Sequence, residues 1–109
     1  MKIWRVENSY KEGPYHSLNS PWRFAGASPK WPVPSLDGIT KEIAPTDHFG
    51  FANWQQLLSW FNKSERRVLD KSGFKASLYL VNREHVMLGG KQAVFDIDLA
   101  VMLTKRRLV

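Results

Sequence analysis

The sequence predicts an α+β fold: one long amphipathic helix packed on a four- or five-stranded antiparallel or mixed sheet, with a long aromatic and proline-rich loop segment. Three observations predict it. Residues 49–73 carry a helical apolar period. Two later stretches alternate with the period of a strand. All six prolines fall between Asn8 and Asp47, where a long helix is excluded. A chain of 109 residues is read as a single domain, 1–109, with an irregular wrapping segment at 8–48 and a basic tail at 105–109.

The chain opens on a strand at Lys2–Glu7, where Trp4 and Val6 alternate with Arg5 and Glu7. An arginine inside that pattern needs an acid or a phosphate, and Glu7 or Asp96 is the structural candidate. The wrapping segment is too aromatic for a solvated linker. Tyr10, Tyr15, Trp22, Phe24 and Trp31 are suited to anchoring, and His16, Arg23 and Lys30 are interleaved with the rings. That spacing suits stacking on a base with a phosphate contact, or equally burial of the rings with the cations reaching water. At least one of Trp22 and Trp31 is expected to be partly exposed, forming an interface anchor with Arg23 and Lys30.

The central helix is framed by its ends. Asn53 stands at the N-cap with Gln56 completing a capping box, and Gly73 stands where a left-handed residue closes the helix. Trp54, Leu57, Leu58, Phe61, Val68 and Leu69 form one apolar stripe. It is expected to bury against Phe74, Leu78, Leu80 and Phe95, with Leu58 central enough for a costly Leu58→Ala cavity. Lys63, Arg66, Arg67 and Lys71 occupy the polar side. Beyond the helix, Phe74–Val81 alternates as a strand and Asn82–Glu84 reads as a turn. His85–Leu88 is a short strand stopped by Gly89-Gly90, and Lys91–Ile97 is another strand. Leu99–Leu103 is a last strand or a helical turn, ending at Lys105, Arg106 and Arg107.

Composition narrows the chemistry. Without cysteine there is neither a disulfide frame nor a thiolate metal site. No apolar run is long enough to span a bilayer and no signal-peptide core is present, so a soluble cytoplasmic protein is expected. The net charge of +6 favours an anionic partner or serves solubility. His16, His48 and His85 lack the spacing of a zinc pair, and phosphate-loop, dinucleotide and nucleophile-elbow motifs are missing. Asp96 and Asp98 would share a strand face and form a weak cation pair, more often solvent-facing. No catalytic residue, metal or cofactor is assigned on these grounds.

Several short motifs carry a resemblance. Arg5-Val6-Glu7, Gly13-Pro14-Tyr15 and Pro34-Ser35-Leu36-Asp37-Gly38 precede Gly50-Phe51-Ala52 with Gln56-Leu57-Leu58 and Trp60-Phe61. Gly73-Phe74 and Gly89-Gly90-Lys91-Gln92 with Phe95 follow. Over positions 3–95 the chain resembles small proteins of bacteriophage and prophage genomes, which implies a phage setting and no particular activity. The order of an arginine-bearing strand, an aromatic turn, a helix and a Q-x-V-F strand is similar to ADP-ribosyltransferase-type folds. That likeness implies an NAD or nucleotide site at Arg5, Tyr15, His16 and Gln92. The glutamate that orients the nicotinamide ribose in those enzymes has no counterpart in Lys91–Phe95, and Asp96 lies past its place. Without it the developing oxocarbenium loses its main support, so the likeness implies binding more than catalysis.

Two function classes follow. One is a non-catalytic, phage-type accessory binding protein acting on a host protein, nucleoprotein or nucleic acid, with counter-defence inhibition as its specific form. Its surface would use Trp22, Arg23, Lys30, Trp31, Arg66, Arg67, Lys105, Arg106 and Arg107. The other is an NAD- or nucleotide-using enzyme.

Overall fold

The computed structural model describes residues 1–15, 32–39 and 41–109. Among them are six strands and two α-helices, so the α+β class holds. The strands are β1 (Lys2–Glu7), β2 (Asp47–Gly50), β3 (Lys75–Val81), β4 (Val86–Leu88), β5 (Ala93–Asp96) and β6 (Ala100–Arg106). The helices are α1 (Trp54–Trp60) and α2 (Lys63–Lys71). They build two three-stranded antiparallel sheets, ordered β1-β3-β6 and β2-β5-β4, in place of one sheet of four or five strands. A backbone bridge joins the sheets, with Trp4 N–H donating to Phe51 O at 2.9 Å and Phe51 N–H to Trp4 O at 2.7 Å.

The single long helix is corrected to two short ones. Phe61 leaves the helical region at φ −115°, ψ 115°, and Asn62 begins again as an N-cap. Asn62 Oδ1 accepts from Glu65 N–H at 2.9 Å while Glu65 Oε1 accepts from Asn62 N–H at 2.8 Å. This capping box is a start signal written into the middle of the apolar run. The break turns Phe61 inward, edge-on to Phe51 with centroids 6.2 Å apart. The outer caps match expectation: Asn53 Oδ1 accepts from Gln56 N–H, and Gly73 sits at φ +91°. The Gln56 side chain reaches one residue further back than a capping box requires, accepting from Ala52 N–H at 2.9 Å.

The β1-β3-β6 sheet is the middle layer. Its register puts Trp4, Val6, Ala76 and Leu78 on one face and Ile3, Arg5, Ser77 and Tyr79 on the other. The first face packs under the helices, where Val6, Phe51, Leu57, Trp60, Phe61, Leu69, Phe74, Ala76 and Leu108 form one core. The second face meets the small sheet, where Ile3, Tyr79, Val81, Val86, Ala93 and Phe95 form another. The expected stripe is thereby redistributed. Leu57, Phe61 and Leu69 are buried, Trp54 and Leu58 only partly, and Val68 is 44% exposed. Leu80, assigned to the helix contact, is 45% exposed because it lies past the helices on its face. Phe95 packs with Tyr79 in the opposite core. Among the described residues Ser77 Oγ is buried with no hydrogen-bond partner.

Two other boundaries move. Asp47 and His48, read as the end of the irregular segment, pair with β5 as strand β2. The basic tail is not a tail, because Lys105 and Arg106 pair with β3 and Leu108 is buried.

Candidate functional site

Arg5 and Glu7 project from the same face of β1 into the space between the sheets, and both are buried. Arg5 Nε donates to Glu7 Oε1 at 3.0 Å, which is one of the two acids expected as its partner. Glu7 Oε2 accepts the Tyr79 hydroxyl proton at 2.6 Å. Arg5 Nη1 donates to Phe49 O at 2.9 Å and Nη2 to Lys11 O at 3.2 Å. Burial pulls the Arg5 pKa down and the Glu7 charge opposes it. The arginine therefore ties β1, β2 and the loop after β1 together, with its charge compensated inside the fold.

Beside this cluster lies a cleft of about 480 Å³. Val6, Phe51, Trp60 and Phe61 supply apolar wall, and Val33 and Phe49 stand half-open at 39% and 37% exposure. Arg5, Tyr15, His48 and Gln92 contribute the polar edges. Its volume falls in the range of small-ligand and side-chain pockets, about 300–1,000 Å³. Tyr15 is held by its hydroxyl, which accepts from Trp60 Nε1–H at 2.8 Å. Gln92 is held by Nε2, which donates to Pro32 O at 2.8 Å.

A clamp that the sequence reading missed fixes the other end of the cleft. The Asp37 carboxylate accepts from Lys91 N–H at 2.9 Å and Gln92 N–H at 3.0 Å, and Asp37 O accepts from Gly90 N–H at 2.9 Å. A Cβ on Gly89 would lie 2.5 Å from Asp37 Oδ2 and 2.8 Å from Asp37 O, so the turn needs glycine there. The available signal was an Asp-Gly in a proline-led turn facing a Gly-Gly turn far along the chain, a pairing that periodicity does not register. Gly89→Ala is expected to loosen this turn, seen as faster amide exchange at Lys91 and Gln92; unchanged exchange would refute the clamp.

The remaining site residues scatter. Trp22, Arg23, Lys30, Trp31 and His16 lie outside the described residues. Arg5, Tyr15 and Gln92 of the nucleotide set line the one cleft. Arg66 binds Leu108 O through Nε at 3.1 Å and Phe61 O through Nη1 at 3.3 Å, fastening the C-terminal stretch. Arg107 pairs with Asp70 at 3.0 Å. Arg106 lies 3.9 Å over the Trp54 ring, which meets Trp4 edge-on at 4.9 Å. Arg67 and Lys105 are exposed. The basic residues thus divide between structural fastening and open surface. Asp96 and Asp98 do not share a strand face: Asp96 caps a 3-10 turn by accepting from Asp98 N–H at 3.0 Å. Among the described residues no helix is long and apolar enough to cross a membrane.

Burial pushes the Tyr15 hydroxyl up to about 12, with the Trp60 N–H partly offsetting it. The folded value exceeds the ordinary tyrosine value of about 10. Its contribution to stability is therefore complete below that value and lost as pH rises through the folded one. Tyr79 moves the same way, from burial first and then from Glu7. We expect stability to fall as pH rises above about 10, and Tyr15→Phe to flatten that slope. Parallel slopes for the two proteins in denaturation series at rising pH would refute the assignment to Tyr15.

The sequence model of the family described as bacteriophage T4 Y00F protein matches residues 1–108. The chain belongs to that family, which bears out the phage resemblance carried by the short motifs. A 48-residue stretch is 38% identical to the uncharacterized 19.7 kDa protein in the motB–dexA intergenic region of Enterobacteria phage T4. That stretch is 44% of this chain and 29% of the relative, so less than a third of the relative's length is matched. No solved structure matches the chain.

Proposed function

We propose that this member of the bacteriophage T4 Y00F protein family is a non-catalytic accessory binding protein that engages a host macromolecule in the host cytoplasm. Counter-defence inhibition is its specific form. One observation carries the reading: an apolar cleft in which Arg5, Gln92 and Tyr15 are already bonded within the fold. Arg5 answers Glu7 and two carbonyls, Gln92 answers Pro32, and Tyr15 answers Trp60. An apolar or aromatic anchor from a partner suits the walls of such a cleft, while the exposed Lys11 adds a cation at its edge. Val33 and Phe49 at the rim offer the first contact.

Affinity capture from a bacterial lysate, with and without nuclease, tests it. A captured host macromolecule lost on Val33→Asp and Phe49→Ala is expected, with unfolding midpoints little changed. Capture that survives both substitutions would move the surface elsewhere.

The convergence of Arg5, Tyr15 and Gln92 on one cleft favours a second reading, an NAD or nucleotide site. A ligand at 100 times its dissociation constant stabilises by about 2.7 kcal/mol. A thermal shift with NAD or ADP-ribose that Gln92→Ala abolishes would displace the binding-protein reading. The absence of any shift would retire the nucleotide site.

A further inference from the structure

β6 ends the middle sheet, pairing with β3 on one side and with no strand on the other among the described residues. All its residues from Val101 to Arg106 are exposed. Val101 is 64% exposed, Leu103 46% and Met102 43%, with Leu99 just before them at 53%. Leu80 on β3 is 45% exposed directly opposite Val101, so the apolar strip is two strands wide. An unpaired row of backbone N–H and C=O groups flanked by exposed aliphatic side chains is a template for another strand.

We propose that β6 is a self-association edge, through which two copies of this chain pair antiparallel into one continuous six-stranded sheet. The charge order along the strand selects a second copy. Asp98 precedes it and Lys105 lies near its end, both exposed, while Arg107 is already paired with Asp70 and Arg106 lies over Trp54. Antiparallel self-pairing lays each copy's basic end beside the other's acidic end, at both ends at once. Parallel pairing would set like charges together, and an acidic peptide would answer only the basic end. The contact is isologous and closes at two copies. The far edge of the sheet is engaged at Trp4 by Phe51, so growth there would need a different, heterologous contact. The register shift opposite Leu78 and Tyr79 leaves Leu103 as a bulge, which with Lys105 confines the flat pairing segment and discourages open-ended stacking.

Sedimentation velocity of the full chain across a concentration series tests the inference. The wild-type mass is expected to rise from 12.6 kDa to twice that value. Val101→Lys, Lys105→Asp and Asp98→Lys, all at exposed positions, should each weaken association by about tenfold or more, with unchanged circular dichroism. An equimolar mixture of Lys105→Asp and Asp98→Lys should recover the dimer, because each charge then meets its opposite across the pair. A wild-type protein that stays monomeric throughout would overturn the proposal. So would a dimer indifferent to all three substitutions, or a mixture that stays monomeric.

Discussion

Glu7→Ala is expected to lower the unfolding free energy by about 3–5 kcal/mol, the range for removing one partner of a buried ion pair. Glu7 is 2% exposed and accepts from both Arg5 Nε and the Tyr79 hydroxyl. Its loss strands a buried guanidinium and a buried phenol together, in a domain whose whole stability is on the order of 5–15 kcal/mol. Arg5 stays anchored at its far end, where Nη1 and Nη2 hold Phe49 O and Lys11 O. Arg5→Met with Glu7→Leu should recover part of the loss, because two apolar side chains leave no charge to compensate. Recovery stays partial, as the Phe49 and Lys11 carbonyls lose their donors. Urea denaturation of the single and double variants measures this. A loss below about 0.5 kcal/mol for Glu7→Ala would mean that water reaches the cluster.

The legible parts of the fold were those written locally. Asn53 and Gly73 marked their helix ends because caps act within a few residues. β1 and β3 were found at close to their true bounds, although both of their faces are covered and their burial does not alternate cleanly. The single long helix was misread for an instructive reason. Asn62 and Glu65 are a complete start signal, but the apolar spacing from Trp54 to Leu69 runs on through them. The apolar period favours one helix, and the capping box at Asn62 divides it. β4 and β5 fall within the expected strands His85–Leu88 and Lys91–Ile97, and what stayed hidden was β2, four residues at the end of the irregular segment, and with it the second sheet. Strands that short carry almost no period, and only tertiary pairing defines them. The same pairing sent Phe95 to the opposite core from the one assigned.

The candidate site was legible in its charge and not in its shape. A lone arginine inside a strand pattern demanded a partner, and Glu7 supplied it two residues away on the same face. Tyr79 as the second partner is 72 residues from Glu7, beyond any spacing argument. The cleft collects β1, the loop through Tyr15, Pro32–Pro34, β2 and the end of α1, and only the fold brings these together. Two of the cations expected on the binding surface have acceptors within the fold. Arg66 donates to the carbonyl of the buried Leu108, and Arg107 pairs with the Asp70 carboxylate on α2.

Leu57→Ala is expected to cost about 2–5 kcal/mol, while Leu58→Ala costs distinctly less. Their order follows from the helix break. A continuous helix would centre its stripe between Trp54 and Phe61 and bury both leucines, whereas α1 ends at Trp60 and turns so that Leu57 is fully enclosed. Leu58 only borders the same core. Leu57 shares that core with Trp60 and Phe61, which are also walls of the cleft. A cavity at Leu57 therefore removes support from behind the indole that holds Tyr15. The variant should show an altered Trp60 indole N–H signal by NMR as well as a lowered denaturation midpoint, and Leu58→Ala should leave that signal in place. If Leu58→Ala proves the more damaging of the two, the phase of α1 is wrong and the cleft wall with it. If both cost little, the core under α1 is softer than its burial implies, and a binding cleft framed by Trp60 could not be preorganised for a partner.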